Sequence, residues 1–193
     1  MDSESYFYNC SKPYAHSISP TLYEEITDSV TRLSKRDTQS QINKDLFWML
    51  TSKGWNFDTA PAGIDSNPPA DLHTEKLNLS EIRQLNNRDI CLTSTNQSAK
   101  WHADFGKSFE RGIVQVEAQF SKIEAMFKDF CGFRIAYAER RLALGIEIVL
   151  SDPYRYFAHR RNAIGGMANF RIAKDTLTTI GLDCPIWLVD IRE

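Results

Sequence analysis

The sequence predicts an α/β fold in which helices flank a central mixed β-sheet. Residues 113–120 alternate between apolar and polar side chains, which is typical of a strand. An amphipathic helical stretch and a second, apolar strand follow. The order strand, helix, strand favours an α/β core with helices covering the sheet. The length of 193 residues suits one domain, residues 1–193, with a full hydrophobic core.

The strand predicted over residues 113–120 has two unlike faces, because alternate side chains of a strand point to opposite sides. One face is apolar and carries Val114, Val116, Ala118 and Phe120. The other carries an acid between two amides, namely Gln115, Glu117 and Gln119. The polar face has no partner nearby in the sequence.

Three further elements complete the predicted core. The apolar stretch over residues 144–150 predicts a strand that ends at Asp152-Pro153, and a last strand covers residues 185–191 after a loop at Gly181. Between the first two strands lies a helix with one apolar stripe: Ile123, Met126, Phe127, Phe130, Phe133 and Tyr137.

The first half of the chain predicts two helices. One begins at Ser19-Pro20, a cap followed by a proline at the first helical position, with Leu22, Ile26, Val30 and Leu33 at helical spacing. The second spans about residues 42–53, and Gly54 is its natural end.

Residues 58–100 predict a loop-rich insertion within the domain. Residues 58–79 are rich in Pro, Asn and Asp and predict a long loop. A short helix is expected over residues 80–87, and the small, polar stretch 93–100 predicts a mobile loop.

Composition argues against several classes of protein. No apolar run approaches the roughly 20 residues that a membrane helix needs, and the acidic start Met1-Asp2-Ser3-Glu4 has no apolar signal core. The cysteines are scattered without a Cys-x-x-Cys pair, which argues against zinc and for reduced, cytosolic thiols: Cys10, Cys91, Cys131 and Cys184.

The net charge of −2 does not indicate nucleic acid, but the charge is unevenly distributed. Residues 134–174 hold only three acids, Glu139, Glu147 and Asp152. An excess of positive charge there could neutralise phosphates, or could be a solvated helix face. The bases are Arg134, Arg140, Arg141, Arg155, Arg160, Arg161, Arg171 and Lys174.

Two carboxylates are expected to converge at one end of the sheet. If Asp104 ends the strand that forms a hairpin with residues 113–120, its carboxylate can meet Glu117, with Gly112 as a turn residue. Such a pair suits a hard divalent ion, and Mg²⁺ in particular, because Mg²⁺ takes few protein oxygens and keeps waters for a phosphate. Gln119, on the same face, would help to position an attacking water. Taken alone, Glu-x-Gln is also compatible with a solvent-facing strand edge.

Other motifs allow more than one interpretation. His102 beside Asp104 could be a metal pair, although a lone histidine near a strand end is more often structural. The aromatic residues of the predicted helix could stack on bases, or could belong to the core or a dimer interface. Gly165-Gly166 is not a P-loop, because no Lys-Ser/Thr follows, and a flexible DNA-facing loop is the better interpretation.

Several segments in order resemble the BglII/BstYI restriction endonucleases, from about residue 20 to 191. At the centre are Asp104-Phe-Gly-Lys107 and Val116-Glu-Ala-Gln-Phe120, similar to the family's Asp-Phe and Glu-Val-Gln-Phe, with Lys122 at a matching offset. Before and after them stand Pro20–Ile26, Ile42–Leu46, Lys53-Gly-Trp55, Gly145–Ile148 and Pro185–Val189.

The resemblance implies a PD-(D/E)xK nuclease core in which glutamine replaces the lysine. It implies catalytic Asp104, Glu117 and Gln119, with Asp104 and Glu117 holding Mg²⁺. It further implies a homodimer that cuts double-stranded DNA at a short palindrome centred on GATC and leaves 5′ overhangs. A cytoplasmic bacterial or archaeal enzyme is expected, with a cognate DNA methyltransferase encoded next to it.

DNA contacts are expected from the start of the helix after Phe120 and from the loop after Tyr156. Lys122 is the expected base-reading residue, since a lysine can donate to guanine O6 and N7 in the major groove. The arginines of the loop either read bases or bind phosphate. The remaining candidates are Ser121, Arg160, Arg161 and Asn162.

The sequence also departs from the family pattern. Twelve residues separate Asp104 from Glu117, more than the family leads one to expect, so the extra residues 108–112 are predicted to lengthen the turn. Glu110 is then the alternative acid. Two other functions stay open: a catalytically silent module for DNA binding or dimerisation, and a structure-specific repair nuclease with the same site.

Overall fold

A six-stranded mixed sheet forms the centre of the molecule in the computed structural model, which describes residues 4–33, 38–64, 79–98, 100–157 and 165–192. The strand order is β1-β6-β5-β4-β3-β2. The strands are β1 (Ser5–Tyr8), β2 (Asn56–Phe57), β3 (Phe105–Phe109), β4 (Gly112–Gln119), β5 (Leu142–Leu150) and β6 (Ile186–Ile191). Strands β4, β5 and β6 run parallel, whereas the β3–β4, β2–β3 and β1–β6 pairs are antiparallel. The predicted α/β class with a mixed sheet is therefore confirmed.

Helices lie on both faces of this sheet. They are α1 (Lys12–Ile18), α2 (Leu22–Thr31), α3 (Gln39–Thr51), α4 (Leu79–Gln84), α5 (Arg88–Cys91), α6 (Ile123–Ala138), α7 (Pro153–Tyr156) and α8 (Phe170–Ile180). None of the described helices is both long and apolar enough to span a membrane.

The predicted helices are present with shifted ends. Thr21, and not Ser19, directly precedes α2, and the second helix begins three residues earlier than expected, where the Thr38 side chain accepts a hydrogen bond from the Gln41 N–H. Gly54 follows α3 with φ +77°, as a helix stop requires. Helices α1, α5, α7 and α8 were not predicted.

The insertion over residues 58–100 contains more structure than a loop. Helix α4 takes the place of the helix expected over residues 80–87, and α5 follows it directly. Asn87 caps α5 by accepting a hydrogen bond from the Asp89 N–H. Residues 65–78, most of the predicted long loop, lie outside the described residues.

The two faces of the sheet bury different clusters. Helices α1, α2 and α3 cover one face, whose largest fully buried side chains include Trp55, Trp187 and Phe47. The apolar side chains predicted for β4, Val114, Val116 and Phe120, belong to that cluster. Helices α6 and α8 cover a smaller cluster on the opposite face.

Helix α6 confirms the predicted helix but not its single apolar stripe. Met126, Phe130 and Phe133 are buried against the sheet. Phe127 is 41% exposed and Tyr137 is 38% exposed. Phe127 lies 100° round the helix from buried Met126, and Tyr137 lies in the last turn, so neither reaches the sheet.

The hairpin that carries the expected acids differs from the prediction in its turn. Ser108 and Phe109 pair with Ile113 and Gly112, so β3 continues to Phe109. The turn consists of Glu110 and Arg111 alone. The extra residues thus lengthen the strands and not the turn, which leaves the register between Asp104 and Glu117 intact.

Candidate active site

Asp104 and Glu117 lie side by side where β3 begins and β4 ends. The Asp104 N–H donates to Glu117 Oε2 at 3.3 Å, and the Ala118 N–H donates to Asp104 Oδ2 at 3.0 Å. The antiparallel register of Phe105 with Val116 fixes this arrangement, because it makes the next pair Asp104 and Glu117. The structure therefore brings together the two carboxylates that the hairpin predicts.

Gln119 lies two residues further along the same face, but both ends of its amide are engaged. Its Nε2 donates to Asp129 Oδ2 of α6 at 2.6 Å. Its Oε1 accepts from the Ser121 backbone N–H at 3.0 Å and from the Ser121 hydroxyl. Since β4 is an interior strand and Gln119 is buried, the alternative of a solvent-facing strand edge is wrong.

Carboxylates from four neighbouring strands or strand ends form a row across this face. Asp58 follows β2, and its N–H donates to the Asp104 carbonyl at 3.1 Å, which continues the β2–β3 register. Glu147 of β5 pairs with Glu117. Neighbouring strands are about 4.8 Å apart and their paired side chains share a face. The row is therefore Asp58, Asp104, Glu117 and Glu147, and we call it the carboxylate row.

The environment of this row favours the protonated form of its central members. Burial, more than any other influence, raises the pKa of Asp104, which the protein surrounds although the residue remains exposed at the surface. Burial and the charges of Asp104 and Asp129 raise the pKa of Glu117 well above its ordinary value. Burial also raises the pKa of Asp129 to about 6, against the effect of the Gln119 hydrogen bond. These carboxylates repel one another, and a cation would relieve that repulsion.

Asp58, at the other end of the row, is compensated within the protein. Its Oδ1 lies 2.5 Å from His102 Nδ1 and 2.6 Å from Arg88 Nε. Burial raises the pKa of Asp58, but the hydrogen bonds from His102 and Arg88 outweigh it, and the pKa is lowered. His102 is thus a structural partner of Asp58, as the non-metal interpretation expects.

Glu117 and Asp129 open into a cleft of about 650 Å³ between the α5 region and α6. Basic side chains line it as well, so an anionic ligand would meet cations there. The polar residues of its wall are Asp58, Arg88, Asp89, Thr93, Lys100, His102, Glu117, Lys128 and Asp129. Glu110, the alternative acid, lies in the hairpin turn at the far end of β3, so its expected place near the site is wrong.

Two candidate DNA-contacting segments meet beside the end of β4. Lys122 directly precedes α6, and its side chain is exposed. It forms an isolated bridge with Met167, and the Ala168 N–H donates to the Ser121 carbonyl at 2.8 Å. The start of α6 is thus joined to the far end of the segment after Tyr156. Arg160, Arg161 and Asn162 lie outside the described residues.

Comparison with known proteins decides the family. Residues 4–191 match the family described as restriction endonuclease BglII/BglIII. The chain belongs to this restriction endonuclease family. It is therefore a type II site-specific deoxyribonuclease, and its substrate is DNA. No curated protein matches the sequence.

A solved structure of the enzyme BglII, complexed with a DNA 16-mer, has the same fold. The match has a TM-score of 0.61 at 16% sequence identity and covers 100% of this chain and 77% of that chain. At this identity, the likeness supports the restriction-endonuclease fold of the sheet and its helices.

Restriction endonucleases of this kind generally use divalent metal ions, and the residues of this site fit such an ion. The donors are carboxylate oxygens, which hard cations prefer. Among the described residues, no group of three or more His, Cys, Asp or Glu side chains is arranged to enclose an ion by itself. Two carboxylates, Asp104 and Glu117, leave room for the water ligands that Mg²⁺ retains.

Sequence reasoning did not assign a role to three acids near the site. Asp58 was placed at the start of a loop, and Asp129 has no distinguishing pattern within its helix. Glu147 does have a signal, because it is the one acid inside the apolar run of residues 142–150. A charged residue within a strand that is buried along its full length indicates a function or a partner.

Proposed function

We propose that the chain is a Mg²⁺-dependent enzyme that hydrolyses phosphodiester bonds of double-stranded DNA at a short palindrome. Membership of the BglII/BglIII family supports sequence-specific DNA cleavage. The observation that carries the catalytic assignment is the pair of reciprocal hydrogen bonds between the Asp104 and Glu117 segments. Resemblance to the family supports a site centred on GATC and cuts that leave 5′ overhangs.

Asp104 and Glu117 are proposed to hold the ion. When bound, Mg²⁺ would polarise a phosphoryl oxygen, lower the pKa of a bound water and stabilise the leaving oxygen. The Ala118 N–H fixes the Asp104 carboxylate by donating to Oδ2, which leaves the other oxygen, Oδ1, available to a ligand. Glu117 reaches the cleft and can therefore meet a phosphate group there.

Gln119 is proposed to orient water and Asp129 next to the two acids. Its amide has two hydrogens, of which Asp129 accepts one, so the second remains for a water. Ser121 fixes the opposite end of the amide. This arrangement allows glutamine to position the nucleophile without the positive charge of a lysine.

DNA recognition is proposed for Lys122 and Ser121, next to the catalytic strand. Lys122 is exposed at the start of α6 and can donate to guanine O6 and N7. Arg160, Arg161 and Asn162 are proposed to add contacts to bases or phosphates. The bridge between Lys122 and Met167 supports a common surface for the two segments.

A homodimer is proposed because cutting both strands of a palindrome takes two identical sites related by a twofold axis. The exposed Phe127 and Tyr137 of α6 are the candidates for an apolar contact between protomers. A silent DNA-binding module is less well supported, since such a module has no reason to keep Asp104, Glu117 and Gln119 together. A repair nuclease would use the same chemistry but would depend on DNA structure and not on sequence.

The proposal is tested by incubating the full chain with a defined plasmid and Mg²⁺, and by sequencing the product ends. Discrete fragments with 5′ overhangs at one palindrome are expected, and EDTA should abolish them. A smear, or cutting that persists in excess EDTA, would contradict the proposal. A DNA methyltransferase gene next to the coding sequence would support restriction over repair.

A further inference from the structure

Glu147 is a buried carboxyl group that nothing in the described chain satisfies. It lies at the centre of β5 with 0% of its surface exposed. Neither Oε1 nor Oε2 has a hydrogen-bond partner. Buried polar side chains are nearly always hydrogen-bonded, so a carboxyl with both oxygens free requires an explanation.

The direction of Glu147 is set by the sheet. Its pairing with Glu117 places both side chains on the face that α6 covers. Helix α6 approaches this face closely, since a Cβ at Gly145 would lie 2.6 Å from the Phe133 ring. Glu147 is therefore enclosed between the sheet and the helix, next to Glu117 and within the electrostatic influence of Asp129.

Charge around Glu147 is one-sided. Within the described chain, none of Glu117, Asp129 and Glu147 forms an ion pair with a lysine, arginine or histidine. Asp190 provides the contrast, because this buried acid on β6 accepts hydrogen bonds from the Glu4 N–H and from Arg192 Nε. The fold thus supplies a basic partner for one buried acid of this face and none for Glu147.

We propose that Glu147 belongs to a second divalent-cation position, on the opposite side of Glu117 from Asp104, in which Glu117 is the shared ligand and Asp129 the third carboxylate. The inference rests on the proposed role of Asp104 and Glu117 as a cation site. Like charges keep the three carboxylates apart, and side-chain rotation would draw them around an ion. Nuclease sites with two ions place them about 3.5–4 Å apart, which a shared Glu117 permits.

The test is a titration of the full chain, without DNA, with Mn²⁺, in which the free ion is measured by electron paramagnetic resonance. Wild type should bind two ions per chain. Glu147→Gln keeps the shape of the side chain and should bind one ion, with the affinity of the remaining position changed less than about threefold. Glu139→Gln removes the same charge at the distant end of α6 and should still bind two.

Two further variants separate this inference from the proposed function. Glu117→Gln should weaken both positions, and Asp104→Asn should weaken the first. If both variants bind Mn²⁺ as wild type does, the proposed active site itself is wrong. If they weaken binding while Glu147→Gln binds two ions with wild-type affinity, or if wild type binds only one ion, the second position is wrong.

Thermal unfolding guards against a folding defect. In EDTA, Glu147→Gln and the apolar variant Glu147→Met should unfold at or above the wild-type temperature, since both remove an unsatisfied buried carboxyl. Mn²⁺ should raise the unfolding temperature of wild type more than that of either variant. Equal increases in all three proteins would overturn the proposal.

Discussion

The two faces of the central sheet use adjacent residues for opposite purposes. Val116, Ile146 and Trp187 point into the large apolar cluster beneath α1, α2 and α3. The next residues along two of these strands, Glu117 and Glu147, point to the face of α6. A shift of one residue in register would exchange the two sets. The apolar face therefore fixes the register that makes the opposite face chemically useful.

The comparison teaches that stability and chemistry are separated by the thickness of one sheet. Burial of apolar area on one face stabilises the fold. On the other, burial raises the pKa of Glu117 and Glu147 and opposes their ionisation. Substitutions on the two faces should therefore change different measured quantities.

The largest effect is expected on catalysis from the carboxylate row. Asp104→Ala or Glu117→Ala should slow DNA cleavage by several orders of magnitude, as when one transition-state contact worth roughly 3–4 kcal/mol or more is removed. DNA binding should persist, because phosphate contacts made elsewhere supply most of the affinity. Cleavage rates and gel-shift affinities measure the two effects separately.

Glu110→Ala is the matched control for these variants. Glu110 is an exposed acid in the turn of the same hairpin and is not near the row. It should cleave at the wild-type rate. If Glu110→Ala is as slow as Glu117→Ala, the active site has been placed at the wrong end of the hairpin.

On the opposite face, a truncation should reduce stability. Ile146 is fully buried, and Ile146→Ala should lower the free energy of unfolding by about 2–5 kcal/mol, through lost apolar contacts and the cavity that remains. Urea denaturation measures this value. Glu117→Gln should leave stability in EDTA unchanged or higher. Comparable losses in the two variants would show that the faces are not separated in this way.

A smaller effect is expected on specificity. Lys122→Ala should relax discrimination at the outermost base pairs of the site by roughly 1–3 kcal/mol per base pair. Cleavage of a library of sites measures it. Lys128→Ala, on the cleft wall further along α6, provides a comparison, since a contact with phosphate alone weakens binding to all sequences alike. An unchanged cleavage pattern for Lys122→Ala would remove its base-reading role.

The smallest effect concerns pH and stability. Because the pKa of Asp129 is raised to about 6 in the folded chain, the unfolded chain ionises first. Stability should therefore fall as pH rises from the ordinary value of 3.8 through about 6. Asp129→Asn does not titrate and should lose less stability over this range in EDTA. Unfolding temperatures at pH 4 and pH 8 test this, and parallel decreases would contradict it.

Much of this arrangement can be predicted from local patterns, because β4 and β5 carry strong periodicity and the hairpin is local in the chain. The convergence of Asp104 with Glu117 depends only on antiparallel pairing across a short turn. Helix α8 was missed although Phe170, Ala173 and Leu177 repeat at helical spacing. Its Asn169 cap and Gly181, with φ +67°, mark its two ends.

What the sequence could not give depends on contacts between distant segments. Asp58 reaches the site only because β2 pairs with β3, about 50 residues later in the chain. The bonds of Gln119 to Asp129 follow from how α6 packs on the sheet, and no local pattern encodes that packing. Phe127 was assigned to the buried stripe because spacing alone does not define how wide a stripe the sheet can cover.

The pairing of β1 with β6 has a consequence for how the molecule comes apart. Ser5 pairs with Val189, so the first and last described strands form one edge of the sheet. This pair closes a longer loop than any other in the sheet, and the entropy of closing a loop grows with its length. Exchange of backbone amide hydrogens should therefore be fastest in β1 among the paired strands next to β5 and β6. Fraying would begin where the two ends of the chain meet, while the interior strands β4 and β5 open last.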